Sequence, residues 1–162
     1  MQSLESVMYE IARLFLMPVL IVLLGMFAYA FFALGAFAWD SLRPAARRAA
    51  LASYRRAKPG ATLADLELHI MRILEPLRLT SRTAPMLGLV ATMIPMGPAL
   101  VAVTSGNARG VSQNLVVAFS AVIIALLSAA ITFMVLSVRR RWLLIELESL
   151  RPELERIEVE NG

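Results

Sequence analysis

The chain of 162 residues contains no cysteine and only one histidine, His69. The first shortage excludes a disulfide framework and any thiolate metal site. The second leaves too few soft donors for a structural or catalytic metal centre, which needs several ligands converging on one point. The sequence therefore implies no metal and no cofactor, and the expectation is a protein that is not an enzyme. His69 reads as an ordinary surface or interface histidine. A third shortage is positional. Leu14–Trp39, Thr83–Ala108 and Gly110–Val138 hold no Asp, Glu, Lys, Arg or His. Each run exceeds the ~20 residues that a helix needs to cross a bilayer. No titratable group of this chain then lies in the hydrocarbon, so a proton-binding carboxylate has to come from another chain.

What is present is apolar. Hydrophobic residues make up 59% of the chain and the mean hydropathy is +0.70, whereas soluble domains run at about 45–50%. The reading is an all-α integral membrane protein: one compact helical domain with three transmembrane helices at 14–39, 83–108 and 110–138. Around them lie a short N-terminal segment 1–13, a long loop 40–82 and a C-terminal helix 139–162. The first apolar run is 26 residues long and is preceded by Glu5 and Glu10. A signal peptide has a core of about 7–15 residues after a basic start, so this run is an uncleaved span.

Net charge +4 and a pI near 10.3 look at first like a nucleic-acid binder, but the placement of the charges follows a membrane and implies no nucleic acid. Between the first two spans, Asp40–Arg82 carries nine basic residues, among them Arg47, Arg48, Arg55 and Arg56, against four acidic ones. Arg139, Arg140 and Arg141 follow the third span, while Arg109 is the one charge between spans two and three. The bias of Lys and Arg toward the cytoplasm puts the N-terminus and the turn at 105–113 outside, and the loop and tail inside. The same arginines suit anionic lipid headgroups or serve only to fix topology.

The inner segments carry helix signals. Thr62-Leu-Ala-Asp65 is a capping-box pattern opening a helix over about 62–79, with Leu63, Leu66, Ile70, Ile73, Leu74 and Leu77 on one face. Pro59-Gly60 before it reads as a turn. Leu143, Leu147, Leu150, Leu154 and Ile157 recur in steps of four and three, an apolar seam on a helix continuing the third span. The glutamates around that seam, Glu146 to Glu160, suit the basic loop or open water. Pro152 is expected to bend or end the helix.

The spans differ in bulk. Span one, with Phe27, Phe31, Phe32, Phe37 and Trp39, suits an outer, lipid-facing position. Spans two and three are rich in small residues: Gly88, Ala91, Gly97 and Ala99 in one, and Ala118, Ala121, Ala125, Ser128, Ala129 and Thr132 at helical spacing in the other. Helices in lipid associate by close approach over such residues. These faces pack within one protomer or against further neighbours. Pro95 and Pro98 each remove a backbone donor and free the carbonyl four residues earlier, predicting a bend near 91–94. Thr92 there offers a hydroxyl, either to a neighbour or to the preceding turn's carbonyl.

The string Ala84-Pro-Met-Leu-Gly-Leu-Val-Ala-Thr-Met-Ile-Pro-Met-Gly-Pro-Ala-Leu100, then Asn114–Ser120 and Arg139-Arg-Arg-Trp142, resembles the MotA/TolQ/ExbB proton-channel family in its three-span ExbB/TolQ branch, whose second core helix typically begins P-x-L-G-L-x-G-T. The likeness covers about residues 80–142. It implies a homopentamer in a bacterial or archaeal inner membrane, spans two and three lining its centre around a dimeric, single-span partner of the ExbD, TolR or MotB kind. In such a ring the partner's membrane aspartate carries the ion, and the complex converts proton-motive force into motion. Carried onto this sequence, the ion path and partner contacts fall at Thr92, Pro95, Ala118, Val122, Ala125 and Ser128, with Gly88, Ala91, Ala121 and Ala129 packing helices. Two positions depart from the pattern: the family's Gly-Thr is Ala91-Thr92, and a second threonine is replaced by Val122. Losing one hydroxyl favours protons over sodium, which needs several oxygen ligands. It also supports the alternative of a non-conducting scaffold with the same fold.

Overall fold

The computed structural model of the chain describes residues 2–42, 51, 53, 54, 56, 58 and 62–160. Three long helices account for nearly all of them: α1 (Gln2–Leu42), α2 (Leu63–Thr104) and α3 (Ala108–Glu160). Leu51, Ser53, Tyr54 and Arg56 between α1 and α2 are also helical, and no strand occurs among the described residues. Each long helix contains a segment long and apolar enough to cross a membrane. The chain is thus an all-helical, multi-pass membrane protein by length and composition.

The helices are longer than the apolar runs inside them. The expected loop helix at 62–79 and the second span form one element of 42 residues, uninterrupted through Pro76, Pro85, Pro95 and Pro98. The third span and the tail likewise form one element of 53 residues, and Pro152 does not end it. A proline deletes one bond of the ladder, and flanking turns that stay intact carry the helix past it. At 1.5 Å per residue α2 is about 63 Å long, roughly twice a hydrocarbon core. The excess is the charged stretch 63–82 in α2 and 139–160 in α3.

The contacts fall into two units, one of Met1–Phe31 with Thr80–Ile131 and the other of Phe32–Leu79 with Thr132–Gly162. In the first, Leu23 of α1, Ala91 of α2 and Ala121 and Ala125 of α3 are buried together, with Val19, Leu20 and Leu87 packed around them. A Cβ on Gly88 would lie 2.5 Å from the Ala125 Cβ, so only glycine allows α2 and α3 to approach this closely. The hairpin between them closes through Gly106, which has φ 69°. The amide of Gly106 donates to Val103 O at 3.1 Å and that of Asn107 to Ala102 O at 2.9 Å, a Schellman end for α2. Asn107 then caps α3 by accepting from the Gly110 amide at 3.0 Å.

The second unit uses larger side chains. Leu51, Leu66, Ile70, Leu74, Leu77, Val135, Leu143 and Leu147 are buried. Phe37 stacks on Trp142 with centroids 5.1 Å apart, and Tyr54 on His69 at 4.0 Å. Arg139 donates to Asp40 at 3.1 Å. The capping box forms in both directions: the Asp65 amide donates to Thr62 Oγ1 at 3.3 Å, and the Thr62 amide to Asp65 Oδ2 at 3.2 Å.

Candidate functional site

The first unit places the small residues of both inner spans in one seam. On α2, Leu87 and Ala91 meet α1 through the cluster around Leu23. A helix turns 100° per residue, so Thr92 faces well away from α1. Thr92 is half-buried at the edge of the seam, as is Val122. Val122 lies one turn before Ala125 and sits beside Gly88, its Cγ2 3.8 Å from where a Cβ would project. In α2 the neighbours of Thr92 on its outward side, Leu89 and Met96, are exposed.

The hydroxyl of Thr92 donates to the carbonyl of Leu89 at 2.7 Å. Of the two roles open to it in the sequence, the bond to the preceding turn is the one present. The oxygen's lone pairs still accept. A neighbouring group that donates a proton, such as a neutral carboxyl, satisfies them without breaking the Leu89 bond.

The remaining expected path residues divide. Ala118, Ala125 and Ser128 are at most 2% exposed and lie against the chain's own helices. The Ser128 hydroxyl also donates to the preceding turn, to Ile124 O at 2.7 Å, as Thr92 does to Leu89 O. Pro95 is buried. Of the packing residues, Gly88, Ala91 and Ala121 are buried and Ala129 is half-buried. Small residues at three-and-four spacing look alike whether they face a sister helix or a partner, which is why the sequence grouped them.

A feature absent from the sequence reading is a concavity of about 370 Å³ lined by Arg13, Leu16, Ile94, Pro95, Pro98, Asn114 and Val117. The signal for it was Arg13, the residue immediately before the first uncharged run. Arg13 is exposed and forms no ion pair with any described residue. Asn114 donates through Nδ2 to Gly110 O at 2.9 Å.

In the second unit, Arg139 is engaged by Asp40 and so is not held ready for lipid. Arg140 is exposed beside Arg141 and Glu148 on one face of α3. Arg56 is exposed, while Arg47, Arg48, Arg55 and the turn at Pro59-Gly60 lie outside the described residues. So do the side chains of the tail seam beyond Pro152. Glu146 accepts from the Leu51 amide at 3.3 Å, one contact of the kind expected between the acidic tail and the loop. The backbone amide of Thr62, ahead of the charge of Lys58 3.6 Å away, holds the Asp65 carboxyl below its ordinary value. No cluster of metal-binding side chains exists among the described residues. No family model, curated protein or solved structure matches the chain.

Proposed function

We propose that the chain is the ring subunit of a proton-driven inner-membrane motor, a homopentamer enclosing a dimeric single-span partner that carries the proton-binding aspartate. The observation that carries this reading is a hydroxyl without a carboxylate. Three apolar helices hold no titratable group across 14–39, 83–108 and 110–138, and Thr92 stands at the edge of the α2–α3 seam, turned away from α1. A transporter working alone places ionisable groups within the membrane, and this chain has none there. The likeness of 84–100 to the second core helix of the ExbB/TolQ branch supports the same reading, as does the basic bias that puts the N-terminus outside and the C-terminus in the cytoplasm.

The Leu89 bond refines the proton step. Because the Thr92 proton is already directed at Leu89 O, Thr92 meets the partner as an acceptor. It therefore receives the hydrogen of a protonated aspartate and stabilises the neutral carrier. A hydrogen bond to the neutral form favours the protonated carboxyl. Release then requires the aspartate to leave Thr92, which ties deprotonation to movement of the partner. The partner-facing surface consists of Thr92 and Val122 with the exposed side chains beside Thr92, Leu89 and Met96.

The competing reading is a non-conducting scaffold, favoured by Val122 in place of a second hydroxyl. Co-expression with a single-span neighbour that has one membrane aspartate, followed by native mass spectrometry, separates the two from a third outcome. Five copies with two partner chains support a ring subunit. A stable monomer that ignores the partner contradicts both readings.

A further inference from the structure

The concavity at Arg13 has a chemistry of its own. Its walls are Leu16, Pro95, Pro98 and Val117, with Arg13 and Asn114 as the polar groups. The two prolines have no N–H, and one Asn114 donor is already given to Gly110. Hydrogen-bond donation into the space therefore comes almost wholly from the guanidinium, which offers five N–H groups in a planar fork suited to phosphate. Pro98 lies six residues before the end of α2 and Asn114 six after the start of α3, about 9 Å below the hairpin tip. Arg13 directly precedes the uncharged run 14–39, so it stands where hydrocarbon gives way to headgroups. A space with a cationic rim and apolar walls at that depth matches one kind of molecule.

We infer that the concavity seats a phospholipid from the leaflet at the N-terminal end of α1, with Arg13 donating to the phosphodiester and the apolar walls holding the glycerol and first methylenes. The site joins all three helices of the first unit through a lipid. It does not depend on the motor reading, since it needs neither Thr92 nor a partner chain.

Native mass spectrometry of the full chain in nonionic detergent, with phosphatidylglycerol added, tests it. The wild-type chain retains the lipid, and Arg13→Gln lowers retention about tenfold, the scale of one hydrogen bond to a charged group. Arg13→Lys keeps the charge without the fork and falls between. Val117→Trp fills the concavity while leaving Arg13 in place, and gives the same loss as Arg13→Gln. Equal retention by Arg13→Gln and wild type overturns the proposal. So does a loss in Arg13→Gln without one in Val117→Trp, because Arg13 then acts as a bare surface charge. Equal retention of diacylglycerol, which lacks the phosphate, overturns it as well. Displacement of the lipid by millimolar inorganic phosphate would assign the arginine to a free anion instead.

Discussion

The two units of this chain are held together by opposite means. In the first, the cluster buried between the helices is Leu23 with alanines, and Gly88 meets Ala125 with no room for a side chain. In the second, leucines, an isoleucine and a valine make up most of the buried set beside Ala33 and Thr132, with ring stacks, a capping box and the Asp40–Arg139 pair. The difference follows from the solvent. Lipid tails are as apolar as leucine, so burying leucine from lipid gains little, and helices associate by fitting backbones closely over small residues. In water the gain comes from area, about 25 cal/mol per Å², and large side chains supply it. Within one helix, α3, the buried stripe changes from Ala118, Ala121 and Ala125 inside the uncharged run 110–138 to Leu143 and Leu147 beyond it, the change expected where a helix leaves the bilayer.

Substitutions that exchange these two logics test the comparison. Leu77→Ala, at 1% exposure, should cost about 2–5 kcal/mol by losing buried area and leaving a cavity. Hydrogen exchange should then quicken in the amides of 63–79; unchanged protection would mean that this stretch is not held by water-driven burial. Gly88→Ala adds a methyl where there is no room and should cost about 1–3 kcal/mol. Unfolding in mixed micelles should register it, whereas alanine at Gly25, which has nothing within 4 Å, should not. Equal effects at the two glycines would remove the close-approach argument.

Two smaller effects belong to the second unit. Breaking the Asp40–Arg139 pair with Asp40→Asn should cost about 1 kcal/mol or less, and the cost should shrink with added salt. Asp65 gives the smallest effect and a defined sign. Its carboxyl titrates below the ordinary range, so its stabilisation of the α2 start is complete above that range and is lost as pH falls through the lowered folded value. Circular dichroism should show slight fraying in acid, absent in Asp65→Asn; fraying that persists in the variant would assign it to another group.

Much of this was legible in the residues. Uncharged length gave the three spans because hydrocarbon excludes charge, and Thr62–Asp65 gave the capping box because two local side chains and two amides define it. Leu66, Ile70, Leu74 and Leu77 of the face at 62–79, and Leu143 and Leu147 of the seam, are buried as their spacing predicts, while Leu63, Ile73 and Leu150 are half-buried. The continuation of the third span past Val138 was legible in its leucine seam, but the fusion of the loop helix with the second span at Arg82 was not: polarity marks where a membrane stops, and a helix continues past that point. Nor was the division of the small residues, since Ala118, Ala125 and Ser128 carry no mark that separates an internal face from a partner-facing one. The Arg13 concavity arises from residues on all three helices, and no single window of sequence contains it.

The claim most in need of a direct test is that Thr92 meets a partner's carboxyl. Proton flux through proteoliposomes holding the chain and a single-span protein with one membrane aspartate, measured for wild type, Thr92→Ser and Thr92→Val, provides it. Serine keeps the oxygen and should keep most of the flux, while valine removes the acceptor at nearly the same volume and should lose most of it with the complex still assembled. Full flux in Thr92→Val would contradict the account, leaving Thr92 with its bond to Leu89 O and no part in moving protons.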